Sequence, residues 1–167
     1  MQTTQKSIVA VLLGSESDLD RVQGAFQVLS ELGIPFEKRI LSAHRTSDDT
    51  IAFAETAAQR GLKVLIAAAG KAAHLGGVLA SRTLLPVIGI PLSTSLSGLD
   101  ALFSTVQMPT GYPVASVAID GAANAALLAA QILALQDPQL SEKLAKRRLA
   151  MAEQVRSADA RINKSFP

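Results

Sequence analysis

Short apolar runs alternate with amphipathic segments along most of the chain. Ile8–Leu13 is an unbroken apolar run, which is typical of a parallel strand buried on both faces of a sheet. Residues 22–29 then place apolar side chains three and four positions apart, a spacing that gives a helix one apolar face. Gly33 follows, and glycine commonly ends a helix because it tolerates left-handed backbone. The pattern therefore predicts a strand, a loop and a helix in succession.

The same alternation continues and predicts five strands separated by helices. The further strands are predicted at Phe36–Leu41, Val64–Ala69, Pro86–Ile90 and Val114–Ile119. The further helices are predicted over Ser47–Arg60, from the end of the third loop to Arg82, and over Leu99–Gln107, Ala122–Leu135 and 139–162. Ser47 is the predicted N-cap of the second helix, with Asp48 and Asp49 in its first turn, where they complement the helix dipole.

This order of elements predicts the fold class and the place of a site. Strands that alternate with helices indicate an α/β fold with a doubly wound parallel sheet of about five strands. Right-handed crossovers then place every loop that follows a strand at the same edge of the sheet. Four loops are expected to meet there in one crevice: Gly14–Asp18, Ser42–Ser47, Gly70–Gly77 and Pro91–Gly98.

The composition agrees with one folded domain. The 167 residues suit a single domain, with a core over about 8–135 and a C-terminal helix or tail over about 139–167. Apolar residues make up 49% of the chain and charged residues 18%, which excludes a disordered chain. Aromatic residues make up only 4%, so stacking on nucleic-acid bases is disfavoured.

Charge, cysteine content and the N-terminus narrow the function classes further. From Ser141 onward, seven Lys/Arg stand against three Asp/Glu, a basic end interpreted as a solvated helix face. The chain has no Cys, which excludes disulfides, thiolate catalysis and Cys-ligated zinc. The polar N-terminus lacks the apolar stretch of a signal peptide, and no apolar run reaches the length of a membrane span. We therefore expect a cytoplasmic protein that binds neither nucleic acid nor a membrane.

The first two loops of the crevice carry the densest chemistry. Ser15, Ser17 and Asp18 at the start of a helix can hold an anion or grip sugar hydroxyls, or Ser17 or Asp18 can simply cap the helix. His44 and Arg45 stand side by side after the second strand. Histidine transfers protons near neutral pH, and the planar guanidinium of arginine suits a phosphate or a carboxylate. These residues are candidates for proton transfer and anion binding, against the alternative that His44 is structural.

The third loop, Gly70–Gly77, is rich in small residues, which let the backbone approach a ligand closely. It also carries Lys71 and His74; the alternative is a tight turn with a structural histidine. A metal site is not expected, because the two histidines are thirty positions apart and follow no metal-binding spacing. The GxGxxG, P-loop and GxSxG motifs are absent, which disfavours a dinucleotide cofactor, a nucleotide-phosphate loop and a serine hydrolase.

Five segments in order resemble one family. They are Gly14–Asp18 (GSESD), Ser42–Thr46 (SAHRT), Ala72–Leu75 (AAHL), Val106–Pro109 (VQMP) and Asn124–Ala130 (NAALLAA). From about Ile8 to Leu135 the chain is similar, in register, to the catalytic subunit of phosphoribosylaminoimidazole carboxylase, class I. That family is also called N5-carboxyaminoimidazole ribonucleotide (N5-CAIR) mutase. Five separated motifs in one order are far more specific than any one of them alone.

The resemblance implies a flavodoxin-like three-layer α/β/α sandwich, a homo-octamer, and a reaction of de novo purine (IMP) biosynthesis that uses no metal and no organic cofactor. The substrate N5-CAIR would lose CO2, leaving 5-aminoimidazole ribonucleotide (AIR), which recaptures the CO2 at C4 to give 4-carboxy-5-aminoimidazole ribonucleotide (CAIR). By resemblance, His44 is the general acid and base. Ser15, Asp18, Ser42 and Arg45 would hold the ribose phosphate, and Gly70, Lys71, Ala72, His74 and Leu75 would enclose the imidazole and the CO2. In the octamer, the largely apolar helix Ala122–Leu135 is expected to be buried against a neighbouring subunit.

Three features depart from the usual mutase pattern. Lys71 stands in place of a Gly, Gly76 in place of a Pro, and the loop Pro91–Gly98 is one residue shorter. A sister class, which carboxylates AIR directly with CO2, has a basic residue at the Lys71 position and a similarly short loop. That class has Lys in place of Arg45 and Asn-Ala in place of 73–74, so the mutase is preferred and direct carboxylation is the alternative.

A non-enzymatic binding module with the same fold is a lower-ranked alternative. A response-regulator-like receiver needs an acidic phospho-acceptor after the third strand, where this chain has Ala69, Gly70 and Lys71. A flavodoxin usually stacks aromatic side chains on its flavin, and only Phe103 and Tyr112 lie in or near the loops.

Overall fold

A computed structural model describes residues 6–165 of the chain and shows five parallel strands in one sheet. The strands are β1 (Val9–Leu13), β2 (Phe36–Ile40), β3 (Val64–Gly70), β4 (Val87–Leu92) and β5 (Ala115–Ser116). Their order in the sheet is β2-β1-β3-β4-β5, and each neighbouring pair is parallel. This is the doubly wound order of flavodoxin-like folds, so the predicted fold class is confirmed.

Helices connect the strands. They are α1 (Gln23–Leu32), α2 (Ser47–Ala57), α3 (Leu75–Ala80), α4 (Leu99–Val106), α5 (Ala122–Ala134) and α6 (Pro138–Ser165), with short 3-10 helices at Glu16–Val22 and Leu96–Gly98. As the sequence predicts, Gly33 ends α1, in left-handed backbone with φ +72°. Within residues 6–165, no helix is long and apolar enough to cross a membrane.

The central strands β1, β3 and β4 are the apolar runs of the sequence. Every residue of β1 and β4 is buried, as are the first five of β3, because helices cover both faces of a parallel sheet. The strand β2 lies at one end of the sheet order, beside β1, and is partly exposed. Its charged residues at 37–39 are tolerated because it lies at the edge of the sheet.

The fifth strand is much shorter than predicted, and the prediction of Val114–Ile119 is wrong in length. The carbonyl of Gly89 accepts a hydrogen bond from the N–H of Val117, and the carbonyl of Pro91 accepts one from Asp120. Three residue steps of this segment therefore run beside two steps of β4. That mismatch breaks the regular ladder after Ser116.

Several element boundaries also differ from prediction by one to three residues; α2, for example, ends at Ala57 and not at Arg60. The helix α2 begins at Ser47, so its N-cap is Thr46 and the prediction of Ser47 as N-cap is wrong, whereas Asp48 and Asp49 do lie in the first turn. The strand β4 continues beyond Ile90 to Leu92, and Pro91 lies opposite Ala69 of β3. Proline cannot donate to a ladder, but its carbonyl still accepts the bond from Asp120.

Helix α5 packs within the chain more fully than predicted. Ala122, Ala125, Ala126 and Ala129 are at most 3% exposed. Gly24 of α1 lies so close to α5 that an added Cβ would be 3.5 Å from the backbone nitrogen of Ala123. Small residues allow this close helix approach. The buried alanine stripe of α5 is therefore covered within its own chain, while the expected contact of the rest of this helix with a neighbouring subunit stays a prediction.

The chain divides into two compact units between Ala129 and Ala130. The first contains the sheet and all four crevice loops. The second contains the end of α5 and the 28-residue helix α6, whose solvated basic face was predicted and whose residues are mostly exposed. The single-domain interpretation of the sequence stays a prediction.

Candidate active site

The loops that follow β1, β2, β3 and β4 line one cavity of about 650 Å³ at the carboxyl edge of the sheet. All ten residues singled out from the sequence line it: Ser15, Asp18, Ser42, His44, Arg45, Gly70, Lys71, Ala72, His74 and Leu75. The parallel order explains this convergence, because right-handed crossovers bring the loops to one edge. The crevice predicted from the alternation of elements therefore exists.

The first loop presents its hydroxyls to the cavity instead of using them as caps. Ser15 precedes the 3-10 helix with extended backbone and makes no side-chain capping bond. The hydroxyl of Ser17 donates to the hydroxyl of Ser15, with 3.0 Å between the oxygens. Neither Ser17 nor Asp18 is the N-cap, so the capping alternative is wrong, and these groups are available to a ligand.

Asp18 is the buried carboxylate of the site, only 6% exposed. Burial raises its pKa, and this effect exceeds the opposing effects of a hydrogen bond from the backbone of Ser15 and the positive charges of Arg21 and Arg45. A partly desolvated carboxylate close to two guanidinium groups is a strong hydrogen-bond acceptor. It is suited to hold ligand hydroxyl groups.

Arg45 bridges the first and second loops. Its Nη2 donates to the carbonyl oxygen of Gly14 at 3.0 Å, and its Nε donates to the Ser42 hydroxyl at 3.4 Å. The backbone N–H of Arg45 also donates to that hydroxyl, at 3.2 Å. Ser42 therefore orients the guanidinium, whose remaining N–H donors are available to an anion at the cavity wall.

His44 and His74 form a hydrogen-bonded pair inside the cavity. The Nε2 of His44 lies 3.0 Å from the Nδ1 of His74, and the two rings meet edge to face at an interplanar angle of 76°. One nitrogen must donate and the other accept, so each ring fixes the tautomer of the other. Sequence reasoning placed both residues at the crevice but missed their contact, because they stand on different loops.

The third loop depends on a glycine at the end of β3. A Cβ added to Gly70 would lie 2.1 Å from the Oγ1 of Thr94, so only glycine allows the third and fourth loops to touch. Lys71 follows with φ +54°, left-handed backbone that a non-glycine residue adopts at a cost. Its side chain lines the cavity and adds a positive charge.

Thr94, which lines the cavity from the fourth loop, is the polar side chain that sequence reasoning missed. The loop Pro91–Gly98 was placed at the crevice, but no residue in it was assigned, since serines and threonines of a loop carry no signal of their own. The contact with Gly70 is the feature that distinguishes Thr94 from its neighbours. Among residues 6–165, no group of three or more His, Asp or Glu side chains could hold a metal ion.

Comparison with known proteins identifies the family. Residues 8–154 match the family model described as AIR carboxylase. The chain is 48% identical over 160 residues to the N5-carboxyaminoimidazole ribonucleotide mutase of Pyrococcus horikoshii. The matched residues make up 95% of this chain and 90% of that protein. It is 52% identical over 144 residues to the protein of the same name from Bacillus subtilis, covering 84% and 89%.

A solved structure supports the same assignment. The crystal structure of Treponema denticola PurE superposes with a TM-score of 0.83 at 30% identity, over 92% of this chain and 96% of that one. Sequence motifs, strand order and matched length thus agree. The chain belongs to the AIR carboxylase family.

Proposed function

We propose that this protein catalyses the N5-CAIR mutase reaction of purine biosynthesis, an isomerisation that moves a carboxylate from the exocyclic nitrogen N5 to C4 of the imidazole. The names of its relatives at about 50% identity support the reaction. The observation that carries the mechanism is the His44–His74 pair, 3.0 Å apart in the cavity. The pair supports the proposal because it supplies an oriented imidazole in the cavity, and the reaction needs a group that gives a proton and later takes one back.

In the proposed mechanism, His44 acts in both half-reactions. It donates a proton to N5 as the bond between N5 and the carboxylate breaks, which leaves AIR and CO2. C4 of AIR then attacks the CO2, and His44 removes the proton from C4 to give CAIR. The proton balance closes on one side chain, so one general acid and base suffices. His74 holds the ring of His44 in place through the shared hydrogen bond.

The remaining cavity residues would bind the substrate. Asp18 is a buried acceptor for ribose hydroxyls, and Arg45, oriented by Ser42, is a donor for the phosphate, with Ser15 beside them. Gly70, Lys71, Ala72 and Leu75 would line the space for the imidazole and the CO2. The positive charges of Arg45 and Lys71 suit an anionic nucleotide.

The proposal is tested by supplying each substrate separately. With N5-CAIR at low bicarbonate, we expect CAIR to form and to incorporate little labelled carbon from added labelled bicarbonate, because released CO2 recombines before it escapes. With AIR and labelled CO2, we expect much slower turnover. Turnover of AIR with CO2 but none of N5-CAIR would contradict the proposal and favour direct carboxylation.

We also propose that the active form is a homo-octamer in the cytoplasm. In the single chain His44, Arg45, Lys71 and His74 are all exposed to solvent, whereas a reaction that retains CO2 requires a closed cavity. A neighbouring subunit would supply the missing wall. The resemblance to an octameric family supports this assembly.

A further inference from the structure

A polar cluster outside the cavity joins three segments of the chain. Nη1 of Arg21, from the first 3-10 helix, donates to the Ser93 hydroxyl at 2.8 Å and to Oδ2 of Asp120 at 3.2 Å. The Ser93 hydroxyl donates to the same Oδ2, and the Ser93 N–H donates to Oδ1 of Asp120 at 3.1 Å. The carboxylate of Asp120 thus binds both the backbone and the side chain of Ser93.

The loop that begins at Ser93 needs such support. Leu96 and Ser97 have φ of +43° and +55°, left-handed backbone that costs free energy in residues other than glycine. Such backbone persists only where surrounding contacts fix it. The hydroxyl of Ser95 bonds to Asp100 near the far end of the loop, so Asp120 and Asp100 anchor the strained segment at its two ends.

The near end of this loop reaches the cavity. Thr94, the next residue after Ser93, lines the cavity and lies against Gly70. Arg21 and Asp120 do not themselves line it. Because Thr94 follows Ser93 directly in the chain, the bonds to Ser93 restrict where Thr94 can lie, together with the bond from the Thr94 N–H to the carbonyl of Leu92.

The bonds at Asp120 hold its carboxylate in the charged form. Partial burial raises its pKa, but the hydrogen bonds from Ser93 and the positive charge of Arg21 together outweigh this and lower it. Asp120 itself has φ +54°, which Asp and Asn adopt more readily than other residues. Since the side chains of Arg21 and Asp120 are 39% and 37% exposed, the ion pair alone contributes little. The role of the cluster therefore rests on the three hydrogen bonds that Arg21 and Asp120 make with Ser93.

We propose that Arg21 and Asp120 are positioning residues that hold Thr94 against Gly70 and so keep the β4 side of the cavity closed while CO2 is free. The inference rests on the proposed function, because retention of CO2 matters only in that reaction. Loss of the cluster should loosen residues 93–98 and let CO2 leave before C4 captures it. Binding of AIR, which depends on the first and second loops, should change little.

The variant that tests this is Asp120→Asn. Asparagine keeps the left-handed backbone accessible, but its amide group would place a donor opposite the donors of Arg21 and Ser93. The matched control is Glu55→Gln on α2, which removes the same charge from an exposed ion pair with Arg82 that lies away from the cavity. The second test variant is Arg21→Met. The variant that carries both Arg21→Met and Asp120→Asn should show effects no larger than those of the more severe single variant, because both substitutions act on one hydrogen-bond network.

Two measurements decide the outcome. In hydrogen exchange by mass spectrometry, a peptide covering 93–98 should exchange about 10-fold faster or more in Asp120→Asn than in wild type, the factor expected for losing a hydrogen bond to a charged group. During turnover of N5-CAIR, CAIR should incorporate several-fold more labelled carbon from bicarbonate. Glu55→Gln should match wild type in both.

Unchanged exchange at 93–98 together with wild-type incorporation of label in Asp120→Asn and Arg21→Met would overturn the inference. If wild type itself does not use N5-CAIR, the proposed function fails. The exchange measurement still tests the cluster in that case, so the two failures are distinguishable.

Discussion

Among single residues, His44 is the one on which the proposed mechanism depends most directly. We expect His44→Asn to lower kcat by a factor on the order of 10²–10⁴, because one side chain serves both proton transfers. Affinity for AIR, measured by isothermal titration, should remain near wild type. His74→Asn should cost less, since asparagine removes only the partner that orients His44 at 3.0 Å. Equal activity of His44→Asn and wild type would refute the mechanism.

The buried carboxyl group of Asp18 should make the stability of the protein depend on pH. Burial raises the pKa of this carboxyl in the folded chain, so folding favours its protonated form. The stabilising contribution is therefore complete below the pKa of the unfolded chain, about 3.9, and is lost as the pH rises through the raised folded value. Above that range the raised pKa lowers the free energy of unfolding, so at pH 7 Asp18→Asn should be the more stable protein in urea unfolding.

The stability difference between wild type and Asp18→Asn should shrink as the pH falls below about 4, where wild type is also neutral at this position. Binding of AIR should weaken by roughly 10- to 100-fold, the value of a hydrogen bond to a charged group. A variant that is less stable than wild type at pH 7 would show that the contacts of Asp18 outweigh its burial.

The site residues that the sequence predicted lie in loops that follow predicted strands and carry titratable side chains. His44 and Arg45 were found because titratable groups at the carboxyl end of a strand point to one edge of a parallel sheet. The His44–His74 contact and the role of Thr94 were not, because both depend on side-chain geometry across loops that the linear order does not fix.

Among the secondary-structure elements, the bounds of a strand were predictable where its residues form an unbroken apolar run. The strands β1 and β3 begin and end within one residue of their predicted bounds, because central parallel strands are apolar throughout. The strand β5 ends early because an extra residue beside β4 breaks its register after Ser116. That mismatch depends on pairing between distant segments and leaves no local pattern.

The contact between the third and fourth loops gives a prediction at the same scale. Gly70→Ala would place a Cβ 2.1 Å from the Oγ1 of Thr94, so the loops must separate. We expect the free energy of unfolding to fall by about 1–3 kcal/mol, as for other overpacked sites, and affinity for AIR to fall with it. Urea denaturation and titration measure the two effects.

The control for Gly70→Ala is Gly76→Ala on the third helix. There an added Cβ would meet Val114 at 3.4 Å, an ordinary contact, and alanine favours helix over glycine by about 1 kcal/mol. Gly76→Ala should therefore be as stable as wild type or more stable. A destabilisation equal to that of Gly70→Ala would mean that the contact with Thr94 is not the cause.

For the whole molecule, the apolar side chains that remain exposed on the folded chain indicate where subunits could contact one another. The alanine stripe of α5, expected from the sequence at a subunit contact, is buried in its own chain, with Ala126 fully buried. On α4, by contrast, Leu99, Phe103 and Val106 are 49%, 57% and 42% exposed. They follow one another four and three positions apart, so they form one apolar stripe on the outer face of the helix. An exposed apolar stripe is a candidate surface for contact with another protein.

If the protein is an octamer, this α4 stripe is the surface we expect a neighbouring subunit to cover. Phe103→Glu should then reduce the sedimenting species from about eight chains to a smaller assembly, because a desolvated, unpaired carboxylate opposes association. Circular dichroism should stay that of wild type, since Phe103 is more than half exposed in the single chain. Phe103→Leu, which keeps the stripe apolar, should remain octameric.

On α5, Ala126→Glu should instead unfold the chain, because the carboxylate would be buried inside the subunit. A wild-type protein that sediments as a monomer, or an unaltered octamer in Phe103→Glu, would show that α4 is not the assembling face.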